Sequence, residues 1–283
     1  MNQWINLAAV SICALAAGCG GGGNGGSRGP DNPPVTMTPM TPITPAPTSN
    51  PSAPQSTVDV QGLYFGTVTD PDDPDSSTFA QVLITADAKA LIYLIDEEGS
   101  ETTLAVVEGN VVASASDALL SQATAFIADA DPVPITGRFQ MNNDPNSEAA
   151  LRVQLMLGDE TTTIDLESLS QQYAKPSSLQ AIAGNYGQGV ETDATVMIDV
   201  AGNVIVTQDG TTGCSGTGRV TVDMPTVNAY ALSLQLTGCI DPGQNGTYGG
   251  RLSVADLDDG SSLLSLFAHS NAFPLLEPVL EKI

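Results

Sequence analysis

Basic side chains are scarce in this sequence. Eight Lys and Arg stand against 32 Asp and Glu, a formal charge of -24 over 283 residues. That excludes the ordinary nucleic-acid binder, which needs a basic stripe to meet phosphates. Histidine is scarcer still: His269 is alone, so no His-rich metal cluster can form, and metal chemistry falls to carboxylates. A Ser-His-Asp hydrolase would have to use His269, yet no Gly-x-Ser-x-Gly elbow occurs, and a structural or surface role is expected for it. Aromatics make up only 5% of the chain, which argues against a sugar-stacking cleft and against a generous apolar ligand cup. Carboxylates are so numerous that any pair nominated for glycoside hydrolysis would be arbitrary. No catalytic residue is assigned, and a non-enzymatic protein is expected. The 41% of hydrophobic residues is still enough for one or two cores.

The segment Leu7–Ala17 is apolar apart from Ser11 and Cys13. It is too short to span a bilayer as a helix, which takes about 20 residues, and has the length of a signal-peptide core. It leads into Leu15-Ala16-Ala17-Gly18-Cys19, which resembles the lipobox of bacterial lipoproteins. It departs from the usual pattern in having no Lys or Arg before the apolar run and in placing Leu15 one position early. The resemblance implies residues 1–18 as a signal peptide and Cys19 as an acylated, palmitate-bearing mature N-terminus. Gly20, rather than Asp, resembles the outer-membrane-sorted class of bacteria with two membranes.

Residues 19–57 have a different composition. A glycine run, Gly20–Gly23, is followed by Thr38-Pro39, Thr41-Pro42 and Thr44-Pro45, repeating at the three-residue period of polyproline II. Nothing here could bury a core, so a disordered tether is expected.

From Val58 onward, short apolar runs alternate with turn residues, the pattern of all-β structure. Val82, Ile84 and Ala86 alternate with Gln81, Leu83 and Thr85; Val196, Ile198 and Val200 alternate with Thr195, Met197 and Asp199. Gly202-Asn203 reads as a primed hairpin turn into Val204–Val206, and Asp258-Asp259-Gly260 separates Arg251–Ala255 from Leu263–Ala268. The segments fall into two copies of one plan. Gly62-Leu63-Tyr64 answers Gly184-Asn185-Tyr186, and Val82–Tyr93 answers Val196–Thr207 with Ala88 opposite Gly202. The fold class expected is therefore all-β: two tandem small antiparallel barrels or sandwiches, spanning 58–170 and 171–283. Between them, Ser177 or Ser178 caps a short helix that Gly184 ends.

That helical turn leading into Gly184-Asn185-Tyr186 resembles the opening of lipocalin-like barrels over about a dozen residues, with Tyr186 where Trp is usual. It is also similar to segments of uncharacterised bacterial lipoproteins, from which no activity carries over.

With Cys13 in the signal segment and Cys19 acylated, Cys214 and Cys239 remain, the arithmetic of one disulfide in an exported chain. A hairpin turning at Pro225–Asn228 would set the two cysteines opposite each other. Side-chain parity objects, because Val220 and Val222 share a face with Cys214, whereas Tyr230, Leu232, Leu234 and Leu236 lie on the face away from Cys239. One extra residue reconciles the two, and a bulge near Gly213, Gly216, Gly218 or Gly238, beside the disulfide, is predicted.

Calcium is the one cofactor with residues to suit it: Asp70, Asp72, Asp73 and Asp75 crowd a single inter-strand loop. Asp256, Asp258 and Asp259 form a second acidic cluster, but the glycine comes one position early for an EF-hand and Phe267 stands where its bidentate Glu should be. The reading as a whole is a lipid-anchored outer-membrane lipoprotein whose partners are the membrane, through its anchor, and an envelope protein. It would act as an interaction or structural module. The alternative is a lipocalin-like carrier of a small apolar ligand.

Overall fold

The computed structural model describes residues 59–69, 77–96, 103–114, 117–128, 130–142, 144, 147–187, 195–207, 212–256, 260–275 and 279–283. They form two closed antiparallel barrels of eight strands each. The first contains β1 (Gly62–Thr69), β2 (Ser77–Ile84), β3 (Lys89–Asp96), β4 (Thr103–Ala113), β5 (Ala118–Ile127), β6 (Val133–Met141), β7 (Leu151–Leu157) and β8 (Glu160–Ser168). The second contains β9 (Gly184–Gly187), β10 (Thr195–Ile198), β11 (Asn203–Val206), β12 (Ser215–Met224), β13 (Ala229–Thr237), β14 (Gly246–Asp256), β15 (Ser262–His269) and β16 (Val279–Lys282). Each strand pairs with the next, and the last closes on the first, which removes every sheet edge. Two one-turn helices join the barrels, α1 (Ser170–Tyr173) and α2 (Leu179–Ile182). Ser178 caps α2, its hydroxyl accepting from Ala181 N at 3.2 Å, so the predicted cap is present.

Period-two alternation fills each barrel. Ala80, Val82 and Ile84 point inward from β2, and Ala90, Ile92 and Leu94 from β3. β2 and β3 are also buried on the outside, through Leu83, Leu91, Tyr93 and Ile95. This explains why Ala90–Ile95 is continuously apolar instead of alternating: both of its faces are covered.

The copies match register for register. Gly62 pairs with Ile84, and Gly184 with Ile198; Lys89 with Asn110, and Asn203 with Arg219; Leu120 with Gly137, and Leu232 with Gly250. The correspondence closes the circle, where Tyr64 meets Ser168 and Tyr186 meets Lys282. Both Gly-x-Tyr motifs do the same work. Tyr64 OH donates to Val60 O at 3.0 Å and Tyr186 OH to Ile182 O at 2.8 Å, each reaching back to cover one end of its barrel.

The second hairpin of each copy also matches, with one correction to its turn. Thr85 N donates to Lys89 O, and Asp199 N to Asn203 O, so each loop holds three residues and Asn203 already belongs to β11. A type I turn followed by a left-handed residue is the usual three-residue solution. That residue is Gly202 at φ 83° and Ala88 at φ 59°, the two positions the sequence places opposite each other.

The disulfide Cys214–Cys239 is present and buried, with Cα atoms 4.0 Å apart. The predicted bulge exists but lies elsewhere. β12 and β13 keep one register from Ser215↔Thr237 to Thr221↔Ala231 and shift before Met224↔Ala229. The extra residue sits at Val222-Asp223, beside the turn and far from the cysteines. Gly216 and Gly218 serve close approach instead: a Cβ there would stand 2.4 Å from Gln235 O and 2.3 Å from Ser233 O. At the disulfide, the left-handed Gly213 and Gly238 turn the chain just beyond the last ladder pair.

Candidate functional site: the junction between the barrels

A ligand-sized cavity leaves its lining open to a water-sized sphere. The inward side chains Ala80, Val82, Ile92, Leu94, Val107 and Val153 of the first barrel are 0% exposed. In the second, Tyr186, Val220, Leu252 and Leu264 are equally enclosed. Among the described residues the interiors are therefore packed cores, and chemistry has to be sought on the outside.

The outside of β1–β4 meets the second barrel. Leu63, Leu83, Leu91, Tyr93, Ile95 and Val106 form one buried cluster with Tyr173 of α1 and with Ala229 and Phe267 of the second barrel. At its centre Tyr93 OH donates toward Ala268 O at 3.2 Å and Leu275 O at 3.3 Å, and its ring lies 5.5 Å from that of Phe267. Burial pushes this phenol far up from its ordinary value of 10.0. A hydroxyl so placed is a structural donor, held neutral by desolvation.

Polar groups ring the cluster. His269, at the end of β15, stacks on Phe126 of β5 with centroids 3.6 Å apart. Its Nε2 lies 2.7 Å from Glu108 Oε2 and its Nδ1 2.7 Å from Ser270 O. Both partners are acceptors, so both bonds are complete only when each ring nitrogen carries a proton. The hydrogen bond with His269 holds the Glu108 carboxyl below the usual carboxylate range against the opposing effect of burial, and Lys89 at 3.6 Å adds to the lowering. Arg251 of β14 spans the gap, paired with Asp87 of the first barrel at 3.1 Å and with Asp223 of its own. α1 is fastened as well: Asn228 N donates to Tyr173 O at 2.9 Å, and Lys175 Nζ pairs with Asp256 Oδ2 at 2.7 Å.

The arrangement is suited to fixing two bodies rigidly together. Both nitrogens of His269 are engaged with oxygens of the protein, Glu108 Oε2 across the junction and Ser270 O beside it. A cleft of about 530 Å³ opens beside Gln140, Met141, Asn142, Asp144, Ser147 and Arg152. Its cation is occupied, since Arg152 forms a two-pronged contact with Asp165 at 2.7 and 2.8 Å.

Of the residues singled out in the sequence, Cys214 and Cys239 are joined as expected, and His269 lies in the junction. Cys19 falls outside the described residues, and so do Asp70, Asp72, Asp73 and Asp75 of the calcium loop, together with Asp258 and Asp259. Asp256 is described; Lys175 first and Ser262 next hold its carboxyl below the usual range by hydrogen bonding. Among the described residues no group of three or more His, Cys, Asp or Glu is placed to hold a metal ion. Among them, too, no helix is long and apolar enough to cross a membrane. Tyr93, Glu108 and Arg251 were missed. The continuously apolar run around Tyr93 was the available signal, because a strand with one wet face would alternate. No protein-family profile, curated protein or solved structure matches this chain.

Proposed function

We propose that this is a lipid-anchored lipoprotein of the bacterial outer membrane, acylated at Cys19, acting as a non-enzymatic interaction or structural module of the cell envelope. The observation that carries the module reading is the packed interior of both barrels, which leaves the outer surfaces as the means of binding. The buried Cys214–Cys239 disulfide supports export to an oxidising compartment, where such bonds persist. Closure of the barrels is what a lipocalin-like carrier shares with this fold; enclosure of the inward side chains weighs against that alternative.

Intact mass of the native, detergent-extracted protein tests the anchor. The expected mature chain begins at Cys19 and carries acyl mass that a Cys19→Ala variant lacks. An unacylated, freely secreted chain would overturn it. A small apolar molecule retained stoichiometrically through native purification would replace the module reading with the carrier.

A further inference from the structure

The polar rim of the junction includes one contact whose two sides belong to different barrels and whose bonding turns on a single proton. Glu108 of β4 divides its carboxylate. Oε1 faces Lys89 Nζ of β3 at 3.6 Å, within the first barrel, and Oε2 faces His269 Nε2 of β15 at 2.7 Å, across the junction. His269 is fixed from two further sides. Phe126 of β5 stacks on its ring at an interplanar angle of 16°, and its Nδ1 lies 2.7 Å from Ser270 O. On β14, Gly249 pairs with His269, and Arg251 follows two residues along, engaged by Asp87 and Asp223. Tyr248 of the same strand is turned into the interior of the second barrel. The segment that follows His269, 270–275, contributes no acid or base.

We propose that this contact is a pH-sensitive latch between the barrels, closed while the imidazole is charged and loosened when it loses a proton. A charged ring donates from both nitrogens and so satisfies both acceptors. A neutral ring carries one proton for the same two acceptors. With that proton on Nδ1, the Nε2 lone pair faces the Glu108 carboxylate, and Glu108 is left to Lys89 in its own barrel. With the proton on Nε2, the bond across the junction survives without charge assistance, and the Nδ1 lone pair faces Ser270 O. Either way the tie between the barrels weakens. Imidazole, with an ordinary value of about 6.5, is the side chain that changes charge between pH 5 and 8. His269 is the single one in the chain. The latch also has an acid limit. The hydrogen bond from His269 holds the Glu108 carboxyl below its ordinary 4.5. The contribution of that carboxylate is therefore fully present above 4.5 and is lost as pH falls through the lowered value. Mildly acidic solution, between the two titrations, is where the tie is strongest. The Tyr93 hydroxyl and the Arg251–Asp87 pair keep the barrels joined when the latch loosens. The inference is independent of the lipid anchor and of the module reading.

A double-mutant cycle tests it, with chemical denaturation of the full chain bearing Cys19→Ala at about pH 5.5 and about pH 8.5, on either side of the imidazole range. The four proteins are that parent, Glu108→Gln, His269→Gln and the double variant. At the lower pH the coupling between the two positions should amount to about tenfold or more in the unfolding equilibrium constant. At the higher pH it should fall to about twofold or less. Coupling that is absent at the lower pH, or equal at the two, overturns the proposal. A second measurement needs no variant at these positions. The ring resonances of the lone histidine report its titration by NMR, and the amide shifts of Glu108 and Phe126, across the junction, should follow the same midpoint. Those of Gln154 on β7 and Thr163 on β8 should stay still. Amides of Glu108 and Phe126 that ignore the histidine overturn the latch, and so do shifts of equal size on β7 and β8.

Discussion

Carried around both barrels, the same register places different side chains at the same inward pair. β5 and β6 of the first barrel set Ala118 against Phe139, whereas β13 and β14 of the second set Tyr230 against Leu252. All four are buried. The pair holds one small and one large residue in the first barrel and two large ones in the second, where β12 carries Gly216 and Gly218 on the same inward side. Cores tolerate such redistribution when pattern and total volume are kept. The outer faces diverge further, from Leu63, Leu83 and Leu91 to Asn185, Met197 and Ile205. Inward alternation and register define the barrel, and the outside is left free to decide what each barrel meets.

The largest expected difference between the barrels comes from the disulfide, which belongs to the second alone among the described residues. Closing the loop from Cys214 to Cys239 contributes about 3–4 kcal/mol in the chain-entropy model. Cys214→Ala/Cys239→Ala should therefore lower protection of β12–β14 amides in hydrogen exchange far more than that of β4–β6. Equal losses in both barrels would mean that the junction makes them one cooperative unit.

A smaller difference is expected from exchanging the turn residues. Gly202→Ala would bring a Cβ to 2.3 Å from Val220 O at φ 83° and should cost about 2 kcal/mol. Ala88→Gly relieves a left-handed alanine and should stabilise the first barrel by up to about 1 kcal/mol, less the added flexibility of the unfolded chain. Chemical denaturation of each single variant gives both signs. Two destabilisations would break the equivalence of the loops.

Between Tyr64 and Tyr186 the expected difference is close to nil. Burial pushes both phenols up to about 12 from 10.0, with Asp59 adding for Tyr64 and Tyr230 for Tyr186. Since the folded values are raised, the neutral forms stabilise the fold fully below pH 10, and that contribution is lost as pH rises toward 12. Tyr64→Phe and Tyr186→Phe should each flatten the alkaline fall in unfolding temperature by a similar amount. A response confined to one variant would show that only one Gly-x-Tyr closes its barrel end.

Much of this fold was legible because its signals are local. Period-two runs at Val82–Ile84 and Val196–Ile198, the turn glycine at Gly202 and the cap at Ser178 depend only on neighbours in the chain. Pairing Ala88 with Gly202 needed nothing beyond spacing. The glycines near the cysteines do not mark the bulge, because glycine serves close approach as readily as irregularity. Gly216 and Gly218 make room for the carbonyls of Gln235 and Ser233, while Val222-Asp223 takes up the extra residue with no glycine at all. The junction was hidden for another reason. Tyr93 and Ala268 are 175 residues apart, and Glu108 and His269 are 161 apart, so nothing in either segment names its partner.

The way the first barrel begins has a mechanical consequence. Val60 is buried and anchors Tyr64 OH, and β1 is laddered on both sides, to β2 from Gly62 to Thr69 and to β8 from Tyr64 to Val68. Force arriving through the preceding chain and directed along β1 loads these pairs in shear, all at once. Force directed outward would peel them singly, beginning at Val60. Resistance to being pulled away then depends on the direction of the tug, and is greatest when the barrel lies in line with it.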